Sequence, residues 1–105
     1  MSTPIPKLTV LLREDLSPGR KLAQVFHAGH KWSAENPHDT TETVIVRSVA
    51  DEDTLQAAHM NLVTSGFRVT TFVEPDYGEK PTLTAIVVEA AAFRALRKYP
   101  LAGTT

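Results

Sequence analysis

Arg20, Lys21, Gln24 and His27 place two cations, an amide and an imidazole within about two turns of one helical stretch. Ser17 followed by Pro18 is a good helix start. The serine oxygen can accept from an orphan backbone N–H, and proline at the first helical position loses no needed donor. That helix end favours anions. Gln24, His27 and Lys31 share a face, with Arg20 or Lys21 at its start. Glu74 stands at the end of one strand and Thr82 at the start of the next. The chain has no cysteine and no G-x-S-x-G turn, so a hydrolase built on it must use a water nucleophile. Such an enzyme needs a carboxylate or histidine as base, a cation or amide at the oxyanion and a hydroxyl for orientation. All are present. The same residues would also serve as a hydrogen-bonded group that pins the helix to the strand loops. Pro18-Gly19-Arg20-Lys21 lacks the earlier glycine and the following Ser or Thr of a phosphate loop. His27 and His30 have helical spacing but no third ligand nearby, so neither a metal nor a cofactor is expected.

The elements that must position these residues follow from hydrophobic patterning. Lys7–Arg13 is short and rich in branched apolar residues, as a buried strand is. A helix is expected from Arg20 to about Ala34. Leu22, Phe26, Gly29 and Ser33 form its core stripe, with Val25 beside it, and Trp32 is assigned to the partial core. Glu35–Thr43 is a polar loop, and Thr43–Val49 a second strand. Asp51 caps a second helix whose apolar stripe is Leu55, Ala58 and Leu62, and Gly66 stops it. Arg68–Val73 and Thr82–Glu89 are strands three and four, joined by a turn-rich segment without a helix. That connection is too short for a crossover, so the pair is expected to be antiparallel. Strand four is nearly continuously apolar and therefore central. Ala90–Lys98 reads as a last short helix anchored by Phe93 and Leu96. The order β-α-β-α-β-β-α predicts an α/β protein: a three-layer α/β/α domain over 7–101 with a four-stranded mixed sheet. Residues 1–6 are expected to be flexible and 102–105 frayed.

Composition narrows the function classes. The chain has 105 residues, enough for one core. The first residues lack the apolar stretch of a secretory signal, and no run approaches the roughly 20 apolar residues of a membrane span. A cytoplasmic location without membrane contact is the simplest expectation. The formal net charge of −1 is unlike that of a general nucleic-acid binder. The cations are uneven, however. Lys7, Arg13, Arg20, Lys21 and Lys31 crowd the start, and Arg94, Arg97 and Lys98 the end, so a local positive face is possible.

The run from Leu12 to Ala28 resembles the opening of the type-II peptidyl-tRNA hydrolases. Their pattern is R-x-D-L, a glycine-lysine pair, then A-Q-x-x-H-A on the first helix. Arg13, Asp15, Leu16, Gly19, Ala23, Gln24, His27 and Ala28 fall in register. Arg20 stands where the family has its lysine, with Lys21 one place later. Glu74-Pro75-Asp76 replaces the family's D-A-G, so Glu74 takes the aspartate's place. In these departures the chain is similar to the divergent peptidyl-tRNA hydrolase domain-containing branch. The resemblance implies a three-layer domain, usually a homodimer, that cleaves the ester between a peptide and tRNA. Arg20, Gln24, His27, Glu74 and Thr82 would be catalytic. Arg13, Lys21, Lys31 and Asp76 would bind the substrate, with the Arg94-Arg97-Lys98 group following the RNA backbone. The other reading is a catalytically silent member of this fold that binds RNA, a small molecule or a protein.

Overall fold

The computed structural model describes residues 5–75 and 80–103. Its elements are β1 (Lys7–Arg13), α1 (Pro18–Glu35), β2 (Thr43–Val49), α2 (Glu52–Thr64), β3 (Val69–Glu74) and β4 (Thr82–Val88). Two 3₁₀ turns, Ala90–Ala92 and Arg94–Leu96, replace the single final helix expected from the sequence. A nine-residue segment is too short to sustain an α-helix without strong packing. Here it is held by i→i+3 bonds such as Phe93 N–H to Ala90 O, with Ala92 and Leu96 buried and Phe93 only half-buried.

The sheet order is β2-β1-β4-β3. β1 and β2 are parallel, and β4 is antiparallel to both β1 and β3. The carboxyl ends of β1, β2 and β3 therefore share one end of the sheet with the start of β4. The period-two alternation of the strands sorts their side chains between two cores. Leu8, Val10, Leu12, Ala85 and Val87 face α1, where Ala28 and Trp32 meet them. Leu11, Ile86 and Val88 face α2 and the 3₁₀ turns, where they pack on Leu55, Ala58, Leu62, Ala92 and Leu96. The three-layer α/β/α architecture with its mixed sheet is thus the observed one. No helix among the described residues is long and apolar enough to cross a membrane.

β3 departs from regular pairing. Phe72 lies opposite Ala85 but Val73 opposite Leu83, which leaves Thr84 as an extra residue on β4. The bulge inverts the alternation beyond it. Leu83 joins the α2-side core, and Thr84 turns toward α1.

The helix caps differ in kind. Asp51 Oδ1 accepts from Thr54 N–H at 2.9 Å, as expected of an N-cap. Ser17 makes no side-chain cap bond. Residues 17–20 are exposed, so water reaches those N–H groups and the serine oxygen is not needed. α2 ends in a Schellman motif. Gly66 adopts φ +89°, Gly66 N–H donates to Val63 O, and Phe67 N–H donates to Leu62 O.

Two sequence expectations are corrected here. The buried face of α1 is Gln24, Ala28 and Trp32, whereas Leu22 and Phe26 are 76% and 73% exposed. The helix packs on β1, β4 and β3, so these two residues overhang the side of β2 that no helix covers. Trp32 is the core anchor, 2% exposed, and its indole N–H donates to Asp39 Oδ2. The chain end, expected to fray from residue 102, is pinned as far as Gly103. Ser48 N–H donates to Pro100 O, Ala102 N–H to Val46 O, and Gly103 N–H to Glu14 Oε1. β2 is an edge strand, and the tail satisfies backbone groups that would otherwise stay unpaired.

These burials predict opposite outcomes for two aromatic substitutions on one helix. Trp32→Ala should destabilise the fold by about 3–5 kcal/mol. Phe26→Gln should change stability by no more than about 0.5 kcal/mol. Urea unfolding followed by circular dichroism measures both.

Candidate functional site

α1 runs along β3 with a line of polar contacts, and these fix which of its residues reach the strand ends. Glu35 Oε1 accepts from the Thr70 hydroxyl at 2.7 Å. Lys31 Nζ donates to Thr71 O at 2.7 Å and lies 4.0 Å from Glu35. The His27 ring meets Phe72 at 5.1 Å between centroids. Gln24 Nε2 donates to Glu74 Oε2 at 3.1 Å. The helix thus descends β3 in antiparallel order. Gln24 stands at the end of the sheet where the loops leave the strands, the usual position of ligand sites in open sheets.

Gln24 is only 4% exposed, so both ends of its amide need partners. Thr84 Oγ1 donates to Gln24 Oε1 at 2.7 Å. Glu74, half-buried, receives the amide N–H₂. The two stretches that the sequence reading paired, the start of α1 and the acidic end of β3, therefore meet through one hydrogen bond. Arg20 lies one turn before Gln24 on the exposed start of the helix. His27 lies just under one turn beyond it and is also exposed. Its imidazole contacts the Phe72 ring, whereas the His30 ring stacks on Phe26 at 6.5 Å, so the two imidazoles have different neighbours. Asp76 and Tyr77 lie outside the described residues.

A second polar group forms around Arg13, on the α2 side. The guanidinium donates through Nε and Nη2 to the two oxygens of Asp15 at 2.9 and 2.8 Å. Nη1 donates to Thr82 Oγ1 at 2.8 Å and to Leu83 O at 3.1 Å. Glu52, the first residue of α2, accepts from Leu83 N–H at 2.7 Å. The Thr82 hydroxyl is hydrogen-bonded to Glu52 and, with the Leu83 N–H, holds the Glu52 carboxyl below its ordinary value. The Arg13 hydrogen bond does the same for Asp15. Through Arg13 Nη1 and Glu52 the group ties the end of β1 to the start of β4 and the start of α2.

Several residues expected to touch substrate are therefore engaged within the fold. Arg13 is buried against Asp15 and Thr82 rather than presented to phosphate. Thr82 is buried with its oxygen on Arg13 and Glu52, not on Gln24. Lys21 pairs with Glu14 at 2.5 Å and so braces the loop that also receives Gly103. Lys31 is held on the Thr71 carbonyl. Arg94 lies beside Lys7 in a surface recess at the start of β1, the end of the sheet opposite Glu74, so it does not extend the positive charge at the start of α1. Thr84 and Glu52 were not singled out from the sequence. A Thr-x-Thr alternation cannot show which hydroxyl turns toward α1, because the bulge decides that.

The acidic side chains make stability depend on pH. A carboxyl whose pKa is lowered by folding contributes stability that is fully present above its unfolded pKa. That contribution is lost as pH falls through the folded value. Glu14, Asp15, Asp39, Asp51 and Glu52 all shift in this direction. The melting temperature should therefore fall as pH drops below the ordinary carboxylate range. Glu52→Gln should show a shallower fall than the parent chain in circular-dichroism melts over that interval.

No family model and no curated protein matches the chain. Among solved structures it is similar to a protein of unknown function from Agrobacterium tumefaciens strain C58. The TM-score is 0.68 at 12% sequence identity, over 90% of this chain and 96% of that one. At that identity the likeness shows a shared fold.

Proposed function

We propose that this chain is a peptidyl-tRNA hydrolase-like protein of the cytoplasm, acting on the ester between a peptide and the terminal ribose of tRNA with an activated water. The observation that carries the reading is the hydrogen bond from Gln24 to Glu74 at the open end of the sheet, 3.1 Å long. It joins the helix segment that resembles the type-II hydrolases to the carboxylate standing in for their aspartate.

In this reading Glu74 is the base. It takes a proton from water as the water oxygen attacks the ester carbonyl carbon. The tetrahedral intermediate collapses by breaking the acyl carbon–oxygen bond, and the ribose oxygen leaves with the proton returned from Glu74. Gln24 fixes the direction of the carboxylate. His27, exposed one turn along, orients the ester, and Arg20 at the helix start takes phosphate or the developing oxyanion. Arg13, Thr82, Lys21 and Lys31 support the site through the contacts already described and are not assigned to substrate. The resemblance also carries a homodimer, for which exposed Leu22 and Phe26 offer apolar surface.

The test is release of peptide from N-acetylaminoacyl-tRNA by the purified chain. Glu74→Gln should lower turnover by about 10²–10⁴-fold with an unchanged circular-dichroism spectrum. Absence of turnover above buffer by the parent chain would refute the reading. Retained tRNA binding in that case would identify a catalytically silent RNA-binding module. Light scattering at micromolar concentration tests the dimer.

A further inference from the structure

We propose that Thr84 is a positioning residue that sets the orientation of the Gln24 amide and, through it, of the Glu74 carboxylate. The inference rests on the reading of Glu74 as the base, but its structural half stands on geometry alone.

The Gln24 amide has two ends and two neighbours. A carboxylate can only accept hydrogen bonds, so Glu74 requires the amide nitrogen on its side. The amide oxygen must then face Thr84, and the Thr84 hydroxyl must donate to it, at 2.7 Å. That hydroxyl has one other acceptor nearby, Phe72 O, at a longer 3.4 Å. Thr84 is fully buried, so water does not replace it. The chain Thr84–Gln24–Glu74 is therefore directional, running from hydroxyl to amide oxygen and from amide nitrogen to carboxylate.

Thr84 reaches Gln24 only because of the bulge. Strict alternation along β4 would put residue 84 with Ile86 and Val88, facing α2. The extra residue opposite Phe72 and Val73 turns it to the α1 side instead. Bulges re-aim side chains next to functional sites in this way.

Without the hydroxyl the amide oxygen loses its buried donor and the amide is free to rotate. Its nitrogen is then no longer held toward Glu74.

The experiment compares Thr84→Val, which keeps the shape, with Thr84→Ser, which keeps the hydroxyl. The primary readout is the ¹⁵N–¹H pair of the Gln24 side-chain amide, which does not depend on activity. Valine should move both resonances toward those of an unrestrained amide, and serine should leave them near their original positions. Turnover on N-acetylaminoacyl-tRNA should fall about tenfold in the valine variant and be restored by serine. Thr84→Ala must move the resonances in the same direction as valine, which keeps the test decisive if valine prevents folding. Unchanged Gln24 resonances in the hydroxyl-free variants would overturn the proposal. Equal loss of turnover in the valine and serine variants would overturn it too, because it would assign Thr84 to packing. If the parent chain shows no turnover while the resonances respond as described, the positioning role stands and the hydrolase reading falls.

Discussion

A buried amide must have both a donor and an acceptor to face, and Gln24 finds one on each of two neighbouring strands. Thr84 on β4 supplies the proton, and Glu74 on β3 receives one. This requirement fixes where the first turns of α1 sit over the sheet. The other polar contacts of the helix, from Lys31 to Thr71 O and from Thr70 to Glu35, continue the same line along β3. A helix held in this way covers β1, β4 and β3 and leaves one side of β2 open. The exposure of Leu22 and Phe26 is the consequence. Burying them would require the helix to roll, and Gln24 would then lose both partners.

The end of the sheet is divided electrostatically by the strands themselves. On the α2 side, Arg13, Asp15, Thr82 and Glu52 form a paired group in which cation and carboxylates satisfy one another. Truncating one member would leave a buried group without its partner, so the group acts as a brace. On the α1 side, the Glu74 carboxylate accepts from the Gln24 amide. The two faces of one sheet end thus carry different groups, an arginine–carboxylate cluster toward α2 and an amide–carboxylate contact toward α1.

Much of the candidate site was legible in the sequence, residue by residue, where a local rule applied. Gln24 and His27 fall on one face of a helix by spacing, and Glu74 ends a strand by the turn residues after it. Their convergence is a long-range property, and the Gln24–Glu74 bond joins two of the three. Thr82 is the hydroxyl the sequence offers because it opens the strand, and nothing local marks the bulge that turns Thr84 toward Gln24. The cations were chosen by charge, but charge does not reveal a partner. Arg13 and Lys21 are followed or preceded by Asp15 and Glu14 in the chain, and the fold closes both pairs. Leu22 and Phe26 read as core because they share a helical stripe, yet the polar contacts of Gln24, Lys31 and Glu35 take precedence.

The sequence by itself determined the elements and their alternation: short branched runs make strands, Asp51 and Gly66 bound a helix, and an uninterrupted apolar β4 must lie in the middle. These are local properties, set by backbone sterics, capping and period. Only the tertiary structure decided which face of α1 is buried, that the chain end pairs with β2, and that Thr84 rather than Thr82 meets Gln24. Each of those outcomes depends on a donor and an acceptor far apart in the chain arriving at the same place, and on a single extra residue in one strand that reverses which way its side chains point.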